Sequence, residues 1–421
     1  MRKLTYLRQV GGIVLLAGLL VGCSDSNGGL SDSTFADSDA VNERFGSITS
    51  RDLSPDVTDE TKSALVESIN DFSLEFHRAI SNAAPNDGSI ESGYSAAVAL
   101  AFASAATGSN TYSSLVSLLG FDTLDENALH PALNELALQL ESRSNGELEL
   151  RTANRVFVKP NLDLQTRFLD IATNDYGAPV TEADFLGAPQ EVADEVNGWV
   201  SDQTNGFIPT IVEKFDPDTV FALLNAIFLD AIWQDEFEEK GSQSFISLDG
   251  SLTTVPSFGG RAALPQLQRD DLTALEIPYR GGELAMLILM PQALEAFEQS
   301  LNNDSLNAVI QDLQITDLEI TVPEWQLESD LDLMELLAPL GLPSSPWDFE
   351  RLVNGGDVLD VFARQKARIE VDKDGTRAAA VTLVAGITSV PQQLIINRPF
   401  VYLLRDRTSG VILFSGRVLE P

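Results

Sequence analysis

This 421-residue chain mixes helical and strand patterns without a regular alternation, which predicts an α+β fold rather than a doubly wound parallel sheet. Three observations carry that expectation. "TKSALVESINDFSLEFHRAIS" places Leu65, Ile69, Phe72, Leu74, Phe76 and Ile80 at helical spacing, and "SAAVALAFASAATG" reads as a tightly buried helix of small residues. Four apolar runs read as strands: "ANRVFVKP", "FALLNAIFLDAIW", "TALEIPYRGGELAMLILMP" and "LEITVPEWQLE". The last 28 residues alternate strands with turn signals, notably "RTSG".

The chain is 44% hydrophobic, enough for a sizeable core. It carries 63 acidic against 27 basic residues, a formal net charge of −36. A field of that sign repels phosphate and argues against a nucleic-acid partner. The charge reads as a solvated, salt-tolerant surface, the alternative being an acidic groove for a basic ligand.

The first 29 residues stand apart. Arg2, Lys3 and Arg8 precede an apolar run from Val10 to Val21, too short for a permanent membrane span. The run ends in "LVGC", which resembles a bacterial lipobox. That resemblance implies cleavage after residue 22 and a diacylglycerol on Cys23, the single cysteine of the chain. Ser24 rather than Asp follows it, which by the same resemblance favours the outer membrane, at its periplasmic or its external face. No disulfide or thiolate metal site is then expected. Residues 23–58 are rich in Ser, Asp and Gly, lack periodicity, and read as a solvated tether. Residues 59–421 show no break or internal repeat and read as one domain.

Catalytic motifs are missing from the text. The two histidines, His77 and His130, lie in helical patterns with no adjacent nucleophile motif. G-x-S-x-G, S-x-x-K, H-E-x-x-H and phosphate-cradling glycine loops do not occur, so neither an enzyme activity nor a cofactor or metal is expected.

One stretch, "GTRAAAVTLVAGITSVP" (375–391), bears no charge between Arg377 and its end. Read as a strand, one parity is Thr376, Ala378, Ala380, Thr382, Val384 and Gly386, all small or β-branched and uncharged. The other carries Arg377, Val381, Leu383 and Ile387. The small face fits inside a packed sheet without overpacking it, and Gly375 supplies a pivot. The residues fit a permanent sheet strand and one inserted conditionally equally well.

Five segments in order resemble the serpin family over about residues 65–421. They are "VNGWVSDQTNGFIPTIV" (196–212), "NAIFLDAIWQDEF" (225–237) with Trp233, "LEIPYRGGELAMLILMP" (275–291), "IEVDKDGTRAAAVT" (369–382) and "LIINRPFVYLLRDRTSGVILFSGRVLEP" (394–421), the last around Asn397–Phe400. The resemblance implies three β-sheets, several helices and an exposed reactive-centre loop. It implies a monomer that inhibits a serine protease as a suicide substrate through a covalent acyl complex, the loop entering the central sheet after cleavage. The hinge would comprise Lys373, Gly375, Thr376, Arg377, Ala378, Ala379, Ala380, Val381 and Thr382. Counting from Gly375 puts the scissile bond at Ser389–Val390, and counting back from Asn397 puts it at Thr388–Ser389. The family's polar cluster under the sheet corresponds to Ser92, Ser95, Asn225 and Gln365. The chain departs from the pattern at Lys373 and Arg377, where the family carries Glu, at Gln365, usually His, and at Gly93, usually Pro. The alternative is a non-inhibitory binding lipoprotein on the same fold; the small residues of "AAAVT" favour inhibition.

Overall fold

The computed structural model describes residues 35–36, 44–48, 50–145, 147–178, 180–356, 358–359, 361–376 and 391–421. Helix α1 (Asp59–Ala83) starts after Thr58, whose side chain accepts the Thr61 N–H, one of the amides a first turn leaves unpaired. Its apolar stripe, Leu65 to Ile80, is buried. Helix α2 (Gly93–Ser104) is the small-residue segment, and all of it except Ala99 is buried. Helices α3 (Ser109–Leu118), α4 (Glu126–Glu141) and α5 (Thr166–Asn174) complete this side of the core.

The first sheet runs β1 (Phe35–Ala36), β4 (Val180–Ala183), β3 (Leu148–Val158), β5 (Phe221–Ile232). Two short strands share the free edge of β5. β14 (Val361–Phe362) pairs parallel with Phe221 and Ala222, and β16 (Gly375–Thr376) pairs antiparallel with Ile232 and Ala231. Helix α6 (Pro189–Gln203) lies over this sheet through Val192, Val196 and Val200, packed with Phe157, Ala222 and Leu224.

The second sheet runs β17 (Gln392–Ile395), β10 (Gln314–Pro323), β7 (Leu252–Gln268), β8 (Leu272–Pro278), β9 (Leu284–Pro291), β18 (Phe400–Asp406), β19 (Ile412–Val418), β2 (Ser89–Glu91), with β6 (Glu238–Ile246) also on β7. Helices α7 (Leu294–Ser300) and α8 (Asn303–Asp312) pack on it. A separate antiparallel pair joins β11 (Trp325–Asp332) to β15 (Arg364–Val371), with α9 (Leu333–Leu337) following β11. A short bridge links β12 (Trp347–Asp348) and β13 (Val358–Leu359). Helix α2 contacts both β5 and β19, so it fills the space between the two large sheets.

Helices pack against two large ladders and further strand pairs, as the α+β reading expects, and β5 shares no ladder with β15 among the described residues. Two details differ from the sequence reading. "LEITVPEWQLE" is two strands, not one. Pro323 has no N–H to continue a ladder, and the Glu324 N–H goes to the Pro256 carbonyl at 3.0 Å, so the chain changes sheets there. Finally, residues 44–58, read as tether, are tied down. Arg44 pairs with Glu182, Ser47 Oγ donates to Asp170 (2.7 Å), Arg51 donates to Asn134 (2.7 Å) and Glu141 (2.9 Å), and the Asp52 N–H reaches the Asn174 carbonyl (2.9 Å). Side chains spaced for separate partners leave no period to read.

Behind the second sheet lies a charge network. His77 of α1 sets Nδ1 2.5 Å from Glu91 of β2 and Nε2 3.2 Å from Glu298 of α7, and Arg417 of β19 donates to Glu298 at 3.1 Å. All four side chains are at least 96% buried. Burial is the largest single influence on His77 and favours its neutral ring, yet Glu91 and Glu298 together outweigh it and raise the pKa to about 9. His77 and Arg417 in turn hold Glu298 below its ordinary value in spite of burial. A folded pKa above the unfolded one stabilises fully below about pH 6.5 and loses that contribution through about pH 9. The melting temperature should therefore fall as pH rises across that window, and His77→Gln should flatten the slope. Parallel melting curves for the two proteins would show that His77 is not charged in the fold.

Candidate functional site

The end of β5 and the hinge converge on Trp233. This residue follows β5, is 2% exposed, and stacks on Tyr279 with ring centroids 4.6 Å apart and planes 9° apart. Its indole N–H donates to the Asp372 carbonyl (2.9 Å) and its backbone N–H to the Asp374 carbonyl (3.2 Å). Asp372 opens a tight turn. Its carboxylate accepts from the Asp374 N–H (2.8 Å) and the Gly375 N–H (3.3 Å), and its own N–H donates to the Gly375 carbonyl (3.1 Å). The turn reverses the chain from β15 onto β5.

Gly375 is the pivot of that reversal. Its φ is +149°, and a Cβ there would lie 2.2 Å from the Ala231 carbonyl oxygen. Only glycine allows both the dihedral and the approach. Thr376 follows with 4% exposure, and its hydroxyl lies 2.6 Å from the Tyr279 hydroxyl. It heads a cleft lined by Ile227 and Leu229 of β5 and Arg368 and Ile369 of β15. Lys373 pairs with Asp374 at 2.7 Å, and Asp374, then Asp372 and Glu239, raise its ammonium pKa. Arg377 to Thr382, and Thr388, Ser389 and Val390, lie outside the described residues.

Lower on the same strands is a polar anchor. Gln365 of β15 is 7% exposed. Its amide nitrogen donates to the Ser92 carbonyl (2.8 Å) and its amide oxygen accepts the Ser92 N–H (2.9 Å). Ser92 Oγ donates to the Leu413 carbonyl (2.6 Å) and accepts the Ser95 N–H (3.0 Å), capping α2. One amide thus ties β15 to both the helix and the second sheet, with no titrating group. The neighbouring Gly93 has a spatial reason as well: a Cβ there would sit 2.3 Å from Ser73 Oγ and 2.5 Å from Ser73 Cα, so α1 leaves no room for a proline ring. Asn225 stands on β5 opposite Asn154 of β3; its side chain lies outside the described residues.

The structure therefore gathers Trp233, Lys373, Gly375 and Thr376 at one end of β5, and Ser92, Ser95 and Gln365 at a second point along β15. Sequence reasoning missed Tyr279 and Asp372. Tyr279 lay inside a segment read only as a strand pair, and nothing in its spacing points to Trp233 or Thr376. The histidines have other partners: His77 sits in the charge network, and His130 shares a 2.8 Å hydrogen bond with Tyr176 while burial lowers its pKa to about 3.

The family model described as Serpin (serine protease inhibitor) matches residues 67–421. The chain belongs to the serpin family. It is 30% identical over 370 residues to an uncharacterized serpin-like protein of Thermococcus kodakarensis, covering 85% of this chain and 86% of that one. It is 28% identical to a leukocyte elastase inhibitor of Sus scrofa, covering 83% and 97%. The native crystal structure of the thermophilic serpin tengpin superposes with a TM-score of 0.78 at 25% identity, covering 89% and 98%. Serpins are protease inhibitors as a family, and this chain has the serpin fold, its helices packed on a multi-stranded sheet around β5 and on additional sheets.

The close approach at Gly375 gives a direct test. Gly375→Ala should lift Thr376 off β5, read as faster amide exchange at residues 375 and 376 and faster nicking of the hinge by a nonspecific protease. Unchanged exchange would mean that the chain does not hold this approach in solution.

Proposed function

We propose that this serpin inhibits a serine protease as a suicide substrate. The observation that carries the reading is the seating of Gly375–Thr376 as a strand on β5, in the space that separates β5 from β15. A chain that continues from Thr376 along this cleft adds a strand between them. The protease serine oxygen attacks the carbonyl of Thr388 or Ser389, the peptide nitrogen leaves with a proton, and an ester joins the two proteins. Freed at its C-terminal end, the loop inserts. Each backbone hydrogen bond gained contributes about 1 kcal/mol net and apolar burial about 25 cal/mol per Å². A full strand then yields on the order of 10 kcal/mol, comparable to the stability of a whole domain. That free energy drags the acylated protease and distorts its site before water can cleave the ester.

The target follows from the loop text. No Lys or Arg lies between Arg377 and Arg398, so a pocket built around a buried carboxylate would be left unpaired. Small residues at 388 and 389 suit shallow apolar pockets, which indicates elastase-like or subtilisin-like enzymes; one of the relatives is itself named a leukocyte elastase inhibitor. Mixing the protein with elastase, subtilisin and trypsin should give a denaturation-resistant complex with the first two. Ala380→Arg, which puts a charge on the inward face, should convert complex into cleaved protein. A stable complex with trypsin alone, or wild-type stoichiometry in the variant, would overturn the target or the face assignment.

The protein acts, in this reading, as a monomer anchored to the outer membrane through a lipid on Cys23, at the periplasmic or external face. Cys23→Ser should release it from membranes and abolish incorporation of labelled fatty acid. A labelled variant would refute the anchor.

A further inference from the structure

Tyr279 is fully buried and follows β8, an element of the second sheet, yet its hydroxyl meets the first inserted residue of the first sheet. Its ring cannot shift freely, because it lies flat against Trp233 and its backbone forms an antiparallel bridge with that residue. The phenol stays protonated, since burial pushes its pKa well up. The Thr376 hydroxyl, also buried, lies 2.6 Å away. Tyr279, Trp233 and Thr376 come from three separate stretches of chain, and the folded hinge adds Thr376 to the bridged Trp233–Tyr279 pair.

The hydroxyl pair has an asymmetric consequence. Tyr279 occupies its place whether or not the hinge is seated, because its backbone bridges Trp233, with the Gln234 N–H on the Pro278 carbonyl and the Arg280 N–H on the Ile232 carbonyl, both at 2.9 Å. Thr376 reaches that place only when Gly375–Thr376 lies on β5. The hydrogen bond therefore stabilises the seated hinge alone, and an interaction confined to one of two states shifts the balance between them.

We propose that Tyr279 is a latch, a positioning residue that holds Thr376 on β5 before cleavage and so starts the zipping of the loop. This rests on the suicide-substrate reading: after acylation, insertion races ester hydrolysis, and a loop already seated at its first residue begins that race ahead. Loss of the latch then shows as turnover rather than as weaker docking.

The test is a double-mutant cycle that keeps the ring stack. Tyr279→Phe leaves the Thr376 hydroxyl buried without its partner, and Thr376→Val leaves the phenol so. Removing one partner of a buried pair costs more than replacing both by apolar groups of the same shape. Each single variant should speed amide exchange at residues 375 and 376 by roughly tenfold, as expected for one buried hydrogen bond. The double variant should exchange more slowly than either single one, and Thr376→Ser should behave as wild type. With elastase or subtilisin, the singles should raise the number of inhibitor molecules consumed per protease several-fold with the initial docking constant unchanged. Tyr279→Phe with wild-type exchange at the hinge overturns the latch, and so does a double variant worse than the sum of the singles. Faster exchange in the single variants and its partial recovery in the double variant, but no covalent complex from wild type with any protease, uphold the latch and overturn the inhibitory reading instead.

Discussion

The separation of β5 from β15 is the constraint on which the rest of the structure depends. At one end the two strands are joined, Val361 and Phe362 pairing parallel with Phe221 and Ala222. Carried along both strands, that register would set Val371 opposite Ala231. Ala231 pairs with Thr376 instead. One strand width therefore opens between β5 and β15, and the hinge occupies its head. An edge left in this way offers backbone groups to an incoming strand, which is a hazard in most sheets and the feature on which the proposed insertion rests.

Several buried features make sense as responses to that opening. Without its neighbour β5, β15 still holds the full ladder with β11 and the two-way amide contact of Gln365 with Ser92. Ser92 in turn follows Glu91, which belongs to the His77–Glu298–Arg417 network. The anchor of β15 is thus adjacent in the chain to a paired, buried charge cluster behind the second sheet. Buried charges are tolerated there because each faces an opposite partner; breaking one pair would strand the other. Other acidic residues lie in water, as Glu238 and Glu239 do on the exposed strand β6.

Small residues solve the spatial side of the same problem. Gly375 passes the Ala231 carbonyl, and Gly93 passes Ser73, at distances that no side chain allows. The first lets the chain fold back onto β5. The second lets α2 sit close to α1, under the first sheet. Lys373, a reversal of the family's usual charge, is accommodated by Asp374 beside it and by the surrounding acidic groups Asp372 and Glu239.

The sequence by itself determined the elements and the family. Apolar stripes, strand runs and five ordered segments depend on neighbours along the chain, and the stripe from Leu65 to Ile80 or the small helix from Gly93 folds where its periodicity says. It also marked Gly375 as a pivot and Thr376 as the head of a small inward face, and it marked Ser92 and Gln365 through the resemblance to the family's polar cluster. Only the tertiary structure decided what those residues touch. Tyr279 meets Thr376 across 97 positions and Gln365 meets Ser92 across 273, and no local pattern encodes a contact at such separation. The binding of residues 44–58 to the body escaped for the same reason: Arg44, Ser47 and Arg51 each take a different distant partner, so their order in the chain carries no period. Whether the stretch after Gly375 is a permanent or a conditional strand was undecidable from its residues, since both need the same small inward face. The register at Ala231 shows where its first residue, Thr376, pairs on β5, because hydrogen-bond pairing is a property of two strands and not of one.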